Sequence, residues 1–361
     1  MRRPRDQYGP SGRSVNRRDL FRLRPREASE PTATYDLLNA SRPAMGSYFE
    51  IRVPAQVPGA ADLATRALDI VDEVEAKLTV YRDDSDIARL NAEAHLAPVA
   101  VEPRLFAIIE RAVKLWHETG GAYDLTAGAL SLAWGFTRGP RRVPDAATLA
   151  IARARTGSQH LRLDPVGRTI AFDRPGLVLN FGSIGKGYAI DRAAELIRSH
   201  WYPTSALIHG GRSSLYALGS PPDQFGGRWS VALRNPLDPE TSAGTIRLRN
   251  RGMGTSGAAF QRFEESGRVY GHLIDPRTGE PTEDGPLSVT VLAPTAAEAD
   301  ALSTAFSLLG PDATAAYVAE HSGIGVLMLV QGDDPSWPVV LTWGVTDADF
   351  VPAVRPETLS L

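Results

Sequence analysis

Asp300 and Thr304 stand four residues apart in a stretch with helical periodicity. That spacing places a carboxylate and a hydroxyl on one face. Two such oxygens can meet one hard cation and leave its remaining positions to water or a phosphate. Thr295 and Glu298 have capping-box spacing and set the helix start. Gly310-Pro311 sets its end. Ala299, Leu302, Phe306 and Leu309 form the apolar stripe, which puts Asp300 off the core, so that its replacement should leave packing intact. A carboxylate near a helix N-terminus is also a favourable charge with no ligand at all.

A second run is Leu179-Asn180-Phe181-Gly182-Ser183-Ile184-Gly185-Lys186-Gly187-Tyr188-Ala189-Ile190-Asp191. It reads as a strand over Leu177 to Phe181, a glycine-rich turn, and a helix ending near His200. Backbone N–H groups on such a turn can approach a phosphate, and Lys186 adds a cation. The spacing is neither a Walker A loop nor G-x-G-x-x-G, so a plain tight turn is the competing reading. Only Lys77, Lys114 and Lys186 occur in the chain, so a Lys inside a glycine-rich turn stands out.

Two further segments hold polar and turn residues. One is Met253-Gly254-Thr255-Ser256-Gly257. The other runs from Tyr270 to Pro281 and contains His272, Ile274 and Asp275. His next to a carboxylate is a general base suited to neutral pH, although a lone His is more often simply hydrogen-bonded. Gly120 to Thr126, Trp134-Gly135-Phe136, Tyr81 and Met45 offer aromatic and thioether surface. Such surface suits a planar ring and equally suits a core.

The elements that must hold these residues are mixed. Ser47 to Val53 reads as a strand, Asp62 to Leu78 and Pro103 to Thr119 as helices, and Leu161 to Leu163 with Thr169 to Phe172 as a hairpin. Helices and strands follow without strict βαβ alternation, which favours α+β. The chain has 361 residues and no Cys, which excludes disulfides, a thiolate metal site and a Cys nucleophile. Any metal must take oxygen or imidazole ligands. No apolar run reaches the roughly 20 residues of a membrane span. Met1 to Arg26 carries nine Arg against two Asp, a net of +7, so the remainder carries −10 of the total −3. An acidic body argues against nucleic acid as a partner. Asn16 to Arg22 looks like a twin-Arg signal but lacks the following apolar region, so residues 1–35 read as a disordered basic tail of a cytoplasmic protein, and 36–361 as the folded domain.

Taken in order, these segments resemble the ApbE family, the FAD:protein FMN transferases. The resemblance rests on Ala44-Met45-Gly46, Tyr81-Arg82 through Asn91, Gly121 to Thr126 with Trp134-Gly135-Phe136, Ile184 to Asp191, Thr255-Ser256-Gly257, His272 to Gly279, and Ser288-Val289-Thr290-Val291 leading into Ala299 to Ala305. It covers about Ala44 to Gly310. It implies a fold related to the tunnelling fold, with FAD in a cleft between two subdomains. It implies Mg²⁺-dependent transfer of FMN from FAD to a Thr hydroxyl of a target protein, with release of AMP. It assigns Met45, Tyr81, Ala122, Tyr123, Asp124, Lys186 and Ile274 to the flavin nucleotide, with Asn180, Thr255, Ser256 and Gly257 beside them. It assigns the backbone of Ser183, with Asp300 and Thr304, to Mg²⁺, and His272 to the base, with Lys186 and Asp275 in support. The family usually has Asp at the position of Asn180, and Gly-Gly-Asp where this chain has Gly210-Gly211-Arg212. Each difference removes a carboxylate and favours one alternative, a non-catalytic FAD-binding protein; a second alternative, with water in place of Thr at the same site, is an FAD pyrophosphatase giving FMN and AMP.

Overall fold

The structure is a computed structural model that describes residues 36–200, 205–211, 213–221, 227–257, 262–282 and 285–353. The basic tail and Arg212 lie outside the described residues. Eight strands form one antiparallel sheet in sequential order: β1 (Leu37–Ala44), β2 (Ser47–Pro54), β3 (Ala206–Gly210), β4 (Ser214–Leu218), β5 (Arg251–Gly257), β6 (Ser288–Ala293), β7 (Gly325–Val330) and β8 (Val339–Trp343). The chain leaves this sheet between β2 and β3 to build α1 (Ala60–Leu78), α2 (Asp86–Glu93), α3 (Pro103–Glu118), α4 (Gly128–Ala133), α5 (Ala146–Ala154) and α6 (Gly185–His200). It leaves again between β6 and β7 to build α7 (Ala296–Glu320).

Period-two alternation sorts the strand side chains between two covers. Ile208, Tyr216, Leu218, Val289, Val291 and Met328 point into the core shared with α1, α6 and α7. Leu207, Leu215, Ala217, Met253, Leu292 and Leu327 point the other way, onto the small sheet of Trp229–Arg234, Ser242–Leu248 and Phe350–Pro352. Both faces of the large sheet are therefore covered at its centre, while the outer strands β1 and β8 stay partly exposed. This accounts for strands such as β4 and β6, which are buried at every position. The architecture is α+β with open sheets, as the pattern predicts.

Two expectations differ from the structure. Leu177 to Phe181 is not a strand: only Val178 bridges, in parallel, to Ala127. Its backbone bonds are irregular: Leu179 N donates to Asn91 Oδ1 at 2.8 Å, Asn91 Nδ2 donates to Leu179 O at 3.2 Å, and Asn180 N donates to Leu125 O at 2.9 Å. Conversely, the Met253 to Gly257 run is the end of β5. Its glycines hide the strand signal, and packing requires them. A Cβ on Gly252 would lie 2.4 Å from Ala296 N, and one on Gly254 would lie 2.4 Å from Ala299 C. The α7 backbone thus rests directly on β5. Gly310 ends the first segment of α7 at φ 74°, where Pro311 begins a second.

Candidate active site

The first turn of a helix has N–H groups without intrahelical partners. In α6 one of these is Gly187 N–H, which donates to Asp300 Oδ2 at 2.7 Å. The carbonyl four residues back, on Ser183, is therefore left without that donor. The other Asp300 oxygen accepts from Ser214 Oγ at 2.6 Å. Asp300 is only 6% exposed, so it is not on an open polar face. The helix-stripe expectation fails because α7 is covered on several sides, by α6 and by the glycines of β5. Burial pushes the Asp300 carboxyl above its ordinary range, against the pull of nearby Lys186 and the two donors. Lys186, in the same first turn of α6, makes no ion pair among the described residues.

Thr304 lies one turn further along α7. Its hydroxyl donates back to Asp300 O at 3.3 Å and lies 3.4 Å from Ser256 Oγ. Ser256 is also 2.9 Å from Ser303 Oγ. The end of β5 is thereby joined to the α7 pair, with Thr255 Oγ1 at 2.9 Å from Thr290 Oγ1 and Gly257 paired with Ser288. Ser214 is the contact that sequence reasoning missed. No local pattern marks a serine whose only distinction is an aspartate on a distant helix.

Tyr123 is buried, and its hydroxyl has no hydrogen-bond partner, although Ser183 lies beside it. Burial also raises this phenol's pKa. The neighbouring Asp124 carboxylate is satisfied internally, accepting from Thr126 N, Thr126 Oγ1, Ser158 N and Ser158 Oγ at 2.7–3.2 Å. Those bonds fix the turn that presents Ala122 and Tyr123. Met45 occupies a two-residue hairpin between β1 and β2 at φ 51°, followed by Gly46 at φ 69°. A Cβ on Gly185 would be 3.2 Å from Met45 Cε, so this side chain sits at the start of α6. Tyr81 is 63% exposed, with the Arg138 guanidinium 5.7 Å from its ring centroid.

The His272 loop is tied to the body through Trp134, whose Nε1 donates to Gly279 O at 2.9 Å. Ile274 packs with Leu130, Ala133 and Ala152. Asp275 takes a forked contact from Arg277, at 2.7 Å from Nη2 and 2.9 Å from Nε. Beside it a cavity of about 530 Å³ is lined by Gly121, Asp124, Arg153 and Arg277 among others, but not by Lys186 or Asp300.

Asn180 Oδ1 accepts from Gly182 N at 2.8 Å and so closes the glycine-rich turn. Asn180→Asp keeps that acceptor and strengthens it, because a carboxylate accepts stronger hydrogen bonds than an amide. Among the described residues, what it loses is a 3.4 Å contact from Nδ2 to Thr137 Oγ1, whose hydroxyl can turn to donate. We expect Asn180→Asp to equal or exceed the parent chain in AMP release from FAD; a tenfold fall would show that the site depends on the neutral amide.

Among the described residues no group of three His, Asp or Glu gathers to hold a metal. The donors present among the described residues are one buried carboxylate, a hydroxyl and the Ser183 backbone carbonyl. This set fits a hard divalent ion that completes its shell with phosphate and water, and not zinc. The start of α6, Lys186 and the buried Asp300 carboxylate thus lie together on an α+β scaffold. The ApbE family model matches residues 45–328, and the chain belongs to the ApbE family. It is 33% identical over 305 residues to the FAD:protein FMN transferase of Vibrio cholerae, covering 82% of this chain and 88% of that protein. It is 33% identical over 296 residues to that of Salmonella typhimurium, covering 80% and 82%. The crystal structure of the ApbE protein from Thermotoga maritima superposes with a TM-score of 0.74 at 27% identity, covering 81% of this chain and 94% of that one. The flavin transferase ApbE from Vibrio cholerae gives 0.74 at 29%, covering 85% and 97%.

Proposed function

We propose that this chain is an FAD:protein FMN transferase. It passes the FMN half of FAD to a Thr hydroxyl of a target protein and releases AMP, with Mg²⁺ at Asp300, Thr304 and the Ser183 carbonyl. The observation that carries the reading is the Asp300 carboxylate, buried near Lys186 at the N-terminus of α6. The names of its relatives supply the reaction class.

The chemistry follows from charge. The P–O–P bond of FAD breaks as the Thr oxygen bonds to the FMN phosphorus, and AMP leaves with the bridging oxygen. Mg²⁺, when bound, neutralises charge on the pyrophosphate oxygens. Lys186 adds a fixed cation on the same oxygens. The N-terminal turn of α6 orients N–H dipoles towards them. A Thr hydroxyl is a weak nucleophile at neutral pH, and His272 takes its proton. Met45, Tyr81, Ala122, Tyr123, Asp124 and Ile274 hold the flavin nucleotide.

Incubation with FAD, Mg²⁺ and a Thr-containing acceptor should give AMP and a covalently flavinylated acceptor. A chelator in excess should reduce AMP release to background, and added Mg²⁺ should restore it. AMP release that persists under chelation would remove the metal assignment. FMN and AMP without acceptor labelling would identify a pyrophosphatase instead.

A further inference from the structure

Asp191 has no part in the reading above, yet it holds the two helices of the site together. Asp191 lies on α6 and projects to the start of α7, where Oδ1 accepts from Ala296 N at 2.8 Å and Oδ2 from Ala297 N at 2.9 Å. Asp300 lies on α7 and accepts at the start of α6 from Gly187 N. The arrangement is reciprocal. Gly187 and Asp191 are four residues apart on one helix, and Ala296 and Asp300 are four apart on the other. Each helix supplies the carboxylate that satisfies the orphan N–H groups of its neighbour. The contact is close because Gly187 has no side chain: a Cβ there would meet Ala296 O at 2.2 Å.

We infer that Asp191 is a positioning residue that sets the register of α7 on α6, and through it the placement of Asp300 and Thr304 relative to Ser183 and Lys186. The physical reason is geometric. Ser183 and Lys186 are fixed to α6, whereas Asp300 and Thr304 are fixed to α7. A sub-ångström slip between the helices separates these two halves of one cation shell. Thr295 already caps α7 in the ordinary way, accepting from Glu298 N at 3.2 Å, so helix formation does not depend on Asp191. What Asp191 adds is the bond between helices. Its carboxyl is pushed up to about 7 by burial, with the two N–H donors pulling it down. Such a desolvation cost for an anion that makes no ion pair among the described residues, with only the more distant pull of Arg198, suits a residue kept for geometry more than for stability.

This inference rests on the divalent-ion reading of Asp300 and Thr304, and the test separates the two. Mn²⁺ binding is followed by the electron paramagnetic resonance signal of the free ion, with ADP at the protein's concentration and a protein-free ADP blank. Asp191→Asn presents an NH₂ to one of the two N–H donors, and Asp191→Ser is too short to reach them. Both should raise the Mn²⁺ concentration at half-saturation about tenfold or more. Thr295→Ala, which weakens the same helix end without touching the inter-helix bond, should leave it within twofold. In turnover, the Asp191 variants should need more Mg²⁺ for half-maximal AMP release while kcat recovers at saturating Mg²⁺. If the parent chain binds no Mn²⁺ beyond the blank, the metal reading falls and this inference with it. If the parent binds and both Asp191 variants bind equally well, or Thr295→Ala weakens binding as much as they do, the coupling through Asp191 is wrong.

Discussion

Asp300→Asn is expected to abolish flavin transfer while leaving the protein as stable as before, or slightly more so. The amide has the same shape and fills the same buried space. Ionised Asp300 is disfavoured by burial, as its raised pKa shows. Replacing it with a neutral group removes that penalty. Against this, the amide nitrogen faces a donor, either Gly187 N–H or the Ser214 hydroxyl, and an unsatisfied buried donor costs about 1–3 kcal/mol. Ser214 can rotate to accept from the amide, so the net change in melting temperature should stay within a few degrees. Activity has no such compensation. The only carboxylate in the proposed cation shell is gone, and loss of a preorganised charge at a reacting centre costs about 10²–10³ in kcat. Asp300→Ala is a poorer test than the helix stripe suggests, because it leaves both donors without a partner in a sealed site. The melt and the AMP assay belong on one preparation of Asp300→Asn. Turnover within tenfold of the parent would remove Asp300 from the mechanism.

Gly187→Ala is the second large effect, and here two terms oppose each other. Ala is favoured over Gly inside a helix by about 1 kcal/mol. The added Cβ, however, would meet Ala296 O at 2.2 Å and Ala297 N at 2.5 Å, both backbone atoms of α7. Those atoms cannot give way alone, since Ala296 and Ala297 are held by Asp191. Overpacking of this kind typically costs about 1–3 kcal/mol. The clash therefore wins. The variant should melt several degrees lower and bind FAD at least tenfold more weakly, because α6 must move away from Asp300. A melting temperature at or above the parent's would show that the two helices separate without loss.

How much of this was legible in the sequence varies with the range of the interaction involved. Local signals read correctly. Pro103 opens α3, Gly120 and Gly121 at φ 57° and 83° close it, and Thr295 caps α7. The α+β class followed from the order of elements. The capping box was only half realised: Thr295 accepts from Glu298 N, but the Glu298 carboxylate pairs with Arg111 on α3. The apolar stripe misled at Asp300, because a helix buried on several sides has no polar face to read. Glycines misled at β5, where they mark backbone contact with α7 and not a loop. The bonds that assemble the site, Gly187 to Asp300 and Asp191 to Ala296, join residues over a hundred positions apart. No window along the sequence contains both partners.

The order of strands in the large sheet also bears on how the chain is made. Phe49 on β2 pairs with Gly210 on β3, with six helices intervening, and Asp300 follows later still. At about 5–20 residues per second, Asp300 is joined roughly 5–18 s after Gly210, which lies 90 residues before it. Until then β5 has no α7 to cover its glycines, and α6 has no carboxylate at its first turn. A nascent chain that has not yet added α7 therefore holds Lys186 and Met45 but no completed site. Because the defining pairings are distant in sequence, folding after release is slow, in the manner of chains dominated by non-local contacts. A C-terminal truncation just before Asp300 would leave the sheet without β7 and β8 and with an open β6 edge, which is a template for aggregation and not a weaker enzyme.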